Sequence, residues 1–479
     1  MSFKKQTLNG FIWAFIDSFF VKAMTFMTLI LLARWLGPKD FGLVGMIAIF
    51  ISLGLILTDS GMTSSLIRTK YSDERDYSTI FIINLVISIL VYIIVYNLAP
   101  WISVFFGQPI LINVIRLYCI IFILSSFSAV HLAILMKEMN FGQITKINFL
   151  SSVIGIFVGL YLGYYNFGVW SIIWMYLTTE TIKSLLLWQY SWWRPKLTFS
   201  KVKLKIHYNF GYKLMLSGII DIIFKNIYNI LIGRFYSIQI LGYYERAIQF
   251  SEYPSSSLTG VLTKVSYPLL SKIHNDKPRI ESAYRKLLRI SFFIIAPIMM
   301  GTAAIAKPLF LFFLGSEWLP AVLFFQISSL GMMLYPIHSF NLNILKVAGR
   351  SDLFLKLEII KKIIISISIL IAFQFGVLGL VWCNVFTSFS ALGVNMYFSS
   401  HIINYKIKEQ ILDLSQTLAI TIFTTFLMYI ITKLFPANYL ISQILLALIL
   451  GVIIYFIINY FIKASPLHQA IYLIKNIKQ

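Results

Sequence analysis

Apolar stretches of about 20 residues, parted by short polar connections, run along almost the whole chain. Their starts fall near residues 11, 41, 77, 111, 146, 168, 211, 243, 288, 318, 357, 377, 415 and 440. A bilayer core of roughly 30 Å takes about 20 helical residues to cross, so the pattern predicts about 14 transmembrane helices. A backbone in lipid must satisfy its own hydrogen bonds, which makes the expected fold an all-α polytopic membrane protein. The stretch near 243 is the most broken, because Glu245, Arg246, Glu252 and Pro254 interrupt it. Composition excludes the alternatives: 59% hydrophobic residues, 12% charged residues and a mean hydropathy of +0.82 leave too little polar surface to cover a water-soluble globule. The first stretch follows Lys4 and Lys5 as a signal peptide would. It is long, carries Asp17 and Lys22 and lacks a small-residue cleavage site, so it reads as a retained first helix.

The pattern also repeats itself. Phe167, Gly168, Val169 and Trp174 return 208 residues later as Phe375, Gly376, Val377 and Trp382. Ala33, Arg34, Trp35 and Gly42 return 200 residues later as Gly233, Arg234, Phe235 and Gly242. A unit of about 200 residues is thus duplicated. Residues 1–200 form an N-lobe of six helices and 201–410 a C-lobe of six, while 411–479 add a C-terminal helix pair and tail outside the duplication. Six is an even number, so both copies enter from one side as a parallel repeat about an axis along the membrane normal. Transporters use such repeats to build a path between two lobes.

Charge then sets orientation. With both termini in the cytoplasm, 30 of the 40 Lys and Arg fall on the cytoplasmic side. Only Arg34, Lys39, Arg234, Arg246, Lys307 and Lys433 fall outside, and Lys22, Arg116, Lys183 and Lys225 lie within helices. The net charge of +22 is spread over many short loops, which serves membrane orientation and speaks against a nucleic-acid partner. The basic stretch from Arg194 to Lys213 reads as an interfacial anchor at the lobe boundary. Trp101, Trp170, Trp192 and Trp193 fall near helix ends, as residues of an interfacial belt do. Cys119 and Cys383 lie in apolar stretches, so neither a disulfide framework nor a metal site follows. The longest external connection runs only from about Leu98 to Pro109, too short for an external catalytic domain. A nucleotide phosphate loop, a His/Glu metal spacing and a Gly-x-Ser-x-Gly elbow are all absent from the sequence, so no cofactor is expected.

The candidate chemistry lies in charges inside the bilayer. An ionisable group at mid-depth costs about 2.5–3.5 kcal/mol on insertion scales, so it should face protein or a wet cavity. Lys22 and Lys225 fall at matching depths near the bilayer centre in the first helix of each copy, placed to face one another across a cavity. Ser217, Asp221, Lys225 and Asn229 follow at four-residue spacing, and Ser18, Lys22, Thr25 and Thr28 form a similar stripe. Two such stripes predict a polar path. The plainer alternative is that Asp221 and Lys225 neutralise each other as an i, i+4 pair and Lys22 does so with another carboxylate. Arg116 is a third cation candidate, with snorkelling to the headgroups as its alternative. Glu180 and Lys183 read as a structural i, i+3 pair. Near 243, Glu245, Glu252, Ser256, Thr259 and Thr263 trace one face around Pro254, which suits a lumen or a gate, a re-entrant or surface segment being the alternative. Arg34 and Arg234, at external helix ends, are gate candidates together with Arg246 and Pro254; simple capping of a helix C-terminus is the plainer role for the first two.

Several motifs occur in order: Arg34-Trp35-Leu36-Gly37-Pro38-Lys39-Asp40-Phe41-Gly42, Ala99-Pro100, Trp193-Arg194-Pro195, Gly233-Arg234-Phe235 and Tyr267-Pro268. Gly349-Arg350-Ser351-Asp352 then leads into Leu357-Glu358-Ile359-Ile360-Lys361-Lys362. Over roughly residues 10–400 this resembles the Wzx-type flippase branch of the multidrug/oligosaccharidyl-lipid/polysaccharide superfamily, near the colanic acid and teichuronic acid exporters. The resemblance implies a secondary-type transporter, not an enzyme, in the bacterial cytoplasmic (inner) membrane. It would carry an undecaprenyl-diphosphate-linked oligosaccharide from the cytoplasmic to the external leaflet by alternating access, for cell-surface polysaccharide assembly. It also implies a cationic lumen for the diphosphate, matched by Lys22, Lys225 and Arg116, with H+ or Na+ as coupling ion. Membrane lipids and a polysaccharide polymerase complex are the implied partners. The family's helix 7 often carries an acidic residue just before Gly-Arg-Phe; this chain has Asn229 there, and Asp221 is the substitute. Two rival classes remain: a drug or metabolite antiporter of the same superfamily, which would rely on lumenal carboxylates where lysines dominate here, and an integral-membrane glycosyltransferase or polymerase, which the short loops disfavour.

Overall fold

The computed structural model describes residues 20–273, 276–435 and 439–469, and its contacts divide the chain into two compact units, residues 1–242 and 243–479. The first holds α1 (Lys22–Asp59), α2 (Met62–Arg68), α3 (Glu74–Phe106), α4 (Leu111–Tyr118), α5 (Ile120–Lys137), α6 (Phe141–Tyr164), α7 (Val169–Tyr190) and α8 (Lys201–Phe235). Helix α9 (Ile238–Lys272) begins in the first unit and continues in the second. The second then holds α10 (Lys277–Ala304), α11 (Ala306–Phe313), α12 (Leu319–Met332), α13 (Tyr335–Val347), α14 (Ser351–Ala372), α15 (Gly376–Ser400), α16 (Ile407–Leu434) and α17 (Leu440–Phe461).

Where the apolar pattern breaks, polar residues cap the helices. Asp73 and Asp76 form a reciprocal capping box at the start of α3, each carboxylate accepting the other's backbone N–H at 2.9 Å. That backbone hydrogen bond from Asp76 is the main reason the Asp73 carboxyl sits below its ordinary pKa; burial opposes it, and Lys203 adds to it. Asn140, Ser200 and Asp276 cap α6, α8 and α10 in the same way.

Among the described residues, ten helical segments are long and apolar enough to cross a membrane, so this is a multi-pass, all-α membrane protein. Fourteen separate crossings are not established by that count. Helices α7 and α9 are not among the ten, and two segments, Lys22–Asp59 and Asp352–Ser400, run to 38 and 49 residues. Both exceed the roughly 20 residues of one crossing. Each is broken at a glycine: Gly37 (φ 76°, ψ 177°) parts α1 in two, and Gly376 (φ 70°) opens α15. The sequence echo reaches the backbone here, because Gly168 before α7 (φ 60°, ψ −139°) and Gly376 (φ 70°, ψ −163°) hold nearly the same left-handed conformation at a helix start.

In the first unit, α2, α3 and α5 pack around Met62, Leu66, Tyr77, Phe81 and Ile134. Trp193 belongs to that core at 2% exposure, between Tyr77 and Phe81, and not to an interfacial belt; Trp101 and Trp192 are exposed. In the second unit the core centres on Tyr284, Leu288, Phe292, Phe340 and Tyr405, and Leu414 of α16 is part of it. Helix α16 of the last pair is therefore built into this core. Tyr455 of α17 also donates to the Phe293 carbonyl at 2.9 Å.

Asp413 ties α16 to α10. Its buried carboxylate accepts from Arg285, Arg289 and the Tyr405 hydroxyl. Asp413→Asn should destabilise the detergent-solubilised protein by about 2 kcal/mol, because two partly buried guanidinium groups lose their counter-charge. An unchanged midpoint of thermal unfolding would contradict that role.

Candidate functional site

Helix α8 carries the polar stripe. Ser217, Asp221 and Lys225 are exposed, and Asn229, one turn further, is buried. Their four-residue spacing keeps them on one face. Lys22 is exposed at the start of α1, and Ser18 lies outside the described residues. The two threonines of the α1 stripe turn back onto their own helix: Thr25 donates to the Val21 carbonyl at 3.0 Å and Thr28 to the Met24 carbonyl at 2.9 Å. Lys22 of α1 and Lys225 of α8 are thus both accessible.

Other candidates are held in place by neighbours. The Arg116 guanidinium stacks 4.3 Å from the centre of the Tyr96 ring. Arg234 donates to the Phe105 carbonyl and lies 5.0 Å from the Phe105 ring, so it fastens the end of α8 to the end of α3. Arg34 is exposed. In the second unit Arg246 is buried, Glu252 and Pro254 are half-buried, and α9 runs on through Pro254 without a break. Glu180 and Lys183 do pair, at 3.2 Å, and Ser128 donates to the same carboxylate.

The repeated glycines meet. A Cβ on Gly42 would lie 2.1 Å from the Ile238 carbonyl oxygen, and a Cβ on Gly242 would lie 1.9 Å from the Pro38 carbonyl oxygen. Residues 38 and 42 fall 200 positions before 238 and 242, the spacing of the sequence echo, so the contact is reciprocal: each segment seats a glycine against the other's backbone. Only a residue without a side chain permits that approach. Asp40, in the first of these turns, accepts the backbone N–H of Val169 at the start of α7, which joins the two echoed motifs in space. Sequence reasoning saw the glycines as an echo and missed the contact.

Just beyond the far end of α1, Gly61 packs backbone to backbone against Gly211 of α8. Beside them His207 joins Ser65 (Nδ1 to Oγ, 2.9 Å) to Asp76 (Nε2 to Oδ1, 3.1 Å), and Lys203 pairs with Asp76 at 2.9 Å. A serine, histidine and aspartate in hydrogen-bonded order suggest a hydrolase triad. Here Ser65, His207 and Asp76 are 4%, 1% and 2% exposed, so the set bolts α2, α3 and α8 together and leaves no room for a substrate.

Residues 31–323 match the family model described as polysaccharide biosynthesis protein. The teichuronic acid biosynthesis protein TuaB of Bacillus subtilis (strain 168) is 24% identical over 416 residues, covering 85% of this chain and 84% of that protein. The lipopolysaccharide biosynthesis protein WzxC of Escherichia coli (strain K12) is 22% identical over 382 residues, covering 79% and 78%. Among solved structures, the lipid II flippase MurJ in its inward closed conformation superposes with a TM-score of 0.74 at 17% identity, over 94% of this chain and 99% of that one. That likeness shows the fold.

Proposed function

The chain belongs to the polysaccharide biosynthesis protein family, and from that premise we propose that it is a flippase for an oligosaccharide linked to polyprenyl diphosphate. It moves the glycan between membrane leaflets during cell-surface polysaccharide assembly. The relatives support this reading: TuaB is named for teichuronic acid biosynthesis, WzxC for lipopolysaccharide biosynthesis, and MurJ as a flippase of lipid II. The chain acts as a transporter and not as an enzyme in this reading, and the buried Ser65–His207–Asp76 set leaves no room for a substrate. The observation that carries the mechanism is the reciprocal seating of Gly42 and Gly242. Duplicated turns that close on one another, and that separate when the copies rock apart, are what alternating access requires.

In this reading the lobes are residues 1–200 and 201–410, with 411–479 as the added pair, in the bacterial inner membrane with both termini cytoplasmic. The turns at Gly37 and at Ser237 then form the external closure, with Arg34 and Arg234 beside them. Lys22 and Lys225 receive the diphosphate, which also favours an anionic cargo over a cationic drug. An H+ or Na+ gradient drives the cycle through Asp221, and a polysaccharide polymerase takes the product. The decisive experiment is rescue of a flippase-deficient strain with a panel of lipid-linked oligosaccharides; failure with every carrier sinks the proposal.

The polyprenyl tail has a place on the second unit. Helices α10, α16 and α17 border an apolar cavity of about 260 Å³, lined by Pro297, Gly301, Thr424, Met428, Gly451 and Tyr455. A Cβ on Gly301 would already touch Met428 at 3.3 Å, so Gly301→Leu fills the groove. Translocation of long-tailed carriers should fall about tenfold, a cost of ~1.4 kcal/mol, with short-tailed analogues little affected. Equal loss on both carriers would assign the groove to packing.

A further inference from the structure

The first unit is closed twice, and the function above uses only one of the closures. Helix α8 lies along the latter part of α1: a Cβ on Gly218 would run into the Ile56 side chain, and one on Gly233 would lie 3.2 Å from Met46 Cγ. Gly211 and Gly233 are 22 residues apart on α8. At roughly 1.5 Å per residue that is about 33 Å, the depth of one bilayer core. The Gly61–Gly211 contact therefore lies at the opposite membrane face from the contacts of Gly42 and Gly242. It is reciprocal as they are. A Cβ on Gly61 would lie 2.5 Å from the Gly211 carbonyl oxygen, and one on Gly211 would lie 2.5 Å from the Ser60 carbonyl oxygen.

Polar groups hold this second closure, with Leu204 seated beside the core of α2, α3 and α5. Asp76 Oδ1 meets His207 Nε2 at 3.1 Å, Asp76 Oδ2 accepts from Lys203 Nζ at 2.9 Å, and Ser65 meets the other His207 nitrogen at 2.9 Å. The Arg68 guanidinium of α2 lies 4.6 Å from the centre of the Phe210 ring of α8. Such a contact can be undone. Without α8, Asp76 keeps its place in the α3 capping box, exchanging backbone N–H bonds with Asp73. Lys203 and His207 are strong donors that water can satisfy when they leave the carboxylate. The foot of α8 stays tied to α3, the Ser200 N–H donating to Thr79 Oγ1 at 3.1 Å, and this sets the pivot. We propose that α2 and α3 against α8 form the inner gate of the transport path, with Asp76, Lys203 and His207 as its latch. The proposal rests on the flippase reading for the gate's purpose, entry of cargo from the cytoplasmic side, and not for the latch itself.

The test uses Ser65→Cys as reporter, because His207 covers that side chain. Cys119 and Cys383 are buried, so their background is low. Inside-out membrane vesicles carrying the full-length chain are treated with an impermeant maleimide. Labelling should be slow in Ser65→Cys alone and at least about tenfold faster once Lys203→Gln or Asp76→Asn is added, the scale of losing one charged hydrogen bond from an opening equilibrium. Gly242→Leu, which parts the outer turns, should leave the labelling rate within about twofold of Ser65→Cys alone, because alternating access opens the two closures in turn. Fast labelling in Ser65→Cys alone shows that this end is not shut. Acceleration by Gly242→Leu shows that the whole seam loosens together, and no acceleration by Lys203→Gln shows that the latch holds nothing. Any of the three overturns the gate. The Lys203 side chain is 31% exposed, so Lys203→Gln decides even where Asp76→Asn fails to fold. Labelling needs no lipid-linked glycan, and the two ideas therefore fail separately: latch-dependent labelling without strain rescue leaves a gate for another cargo, whereas rescue with labelling indifferent to the latch leaves a flippase without this gate.

Discussion

A leucine at Gly242 is expected to slow translocation at least about tenfold while leaving membrane insertion intact. A Cβ there would lie 1.9 Å from the Pro38 carbonyl oxygen, far inside contact distance. The obstacle is backbone, which cannot rotate aside as a side chain would. Gly42→Leu should act alike through the Ile238 carbonyl, 2.1 Å away. The two together should be little worse than either alone, because both break one contact. Gly393→Leu is the control: a Cβ there meets nothing within 4 Å, and transport should stay within about twofold of normal. The closed state has its own readout. Met46 is 1% exposed and packs beside Gly233, so a cysteine in its place should be shielded from an impermeant maleimide and should react once Gly242→Leu holds the turns apart. Normal transport by Gly242→Leu, or equal shielding in both backgrounds, would show that these turns need not meet.

What could be read from the sequence was what has a local period. Apolar runs located the helices, and four-residue spacing placed Ser217, Asp221 and Lys225 on one accessible face of α8. Contacts between distant segments leave no such period. The Asp76–His207 pair joins residues 131 apart, and the Arg285–Asp413 pair residues 128 apart, so neither was foreseen. Thr25 and Thr28 shared the stripe of Lys22 on spacing alone, but a threonine in a helix can satisfy its hydroxyl on the preceding turn, and both do. Trp193 looked interfacial because it lies near a helix end, yet the chain folds it back against Tyr77. At Gly37 the polar residues Arg34, Lys39 and Asp40 did mark a break, and the backbone does leave the helical conformation there.

The lysine pair carries the other large effect. Replacing both Lys22 and Lys225 by alanine should lower translocation at least about tenfold, the scale of losing charge-assisted contacts to a phosphate group. Protein levels should stay near normal, because both side chains are exposed and support no core. Arginine at either position should restore more activity than glutamine, since a diphosphate needs positive charge and glutamine supplies only neutral hydrogen bonds. The competing explanation is local: Lys225 lies one turn beyond Asp221 and would serve to neutralise it. That explanation requires the charge-free combination Asp221→Asn, Lys225→Gln to transport as well as the native protein, because no unpaired charge is left behind. An anion site requires the same combination to fail, and to fail regardless of residue 221. Radiolabelled lipid-linked oligosaccharide in proteoliposomes measures both cases directly, and full transport by the Lys22→Ala, Lys225→Ala variant would remove these lysines from the substrate path.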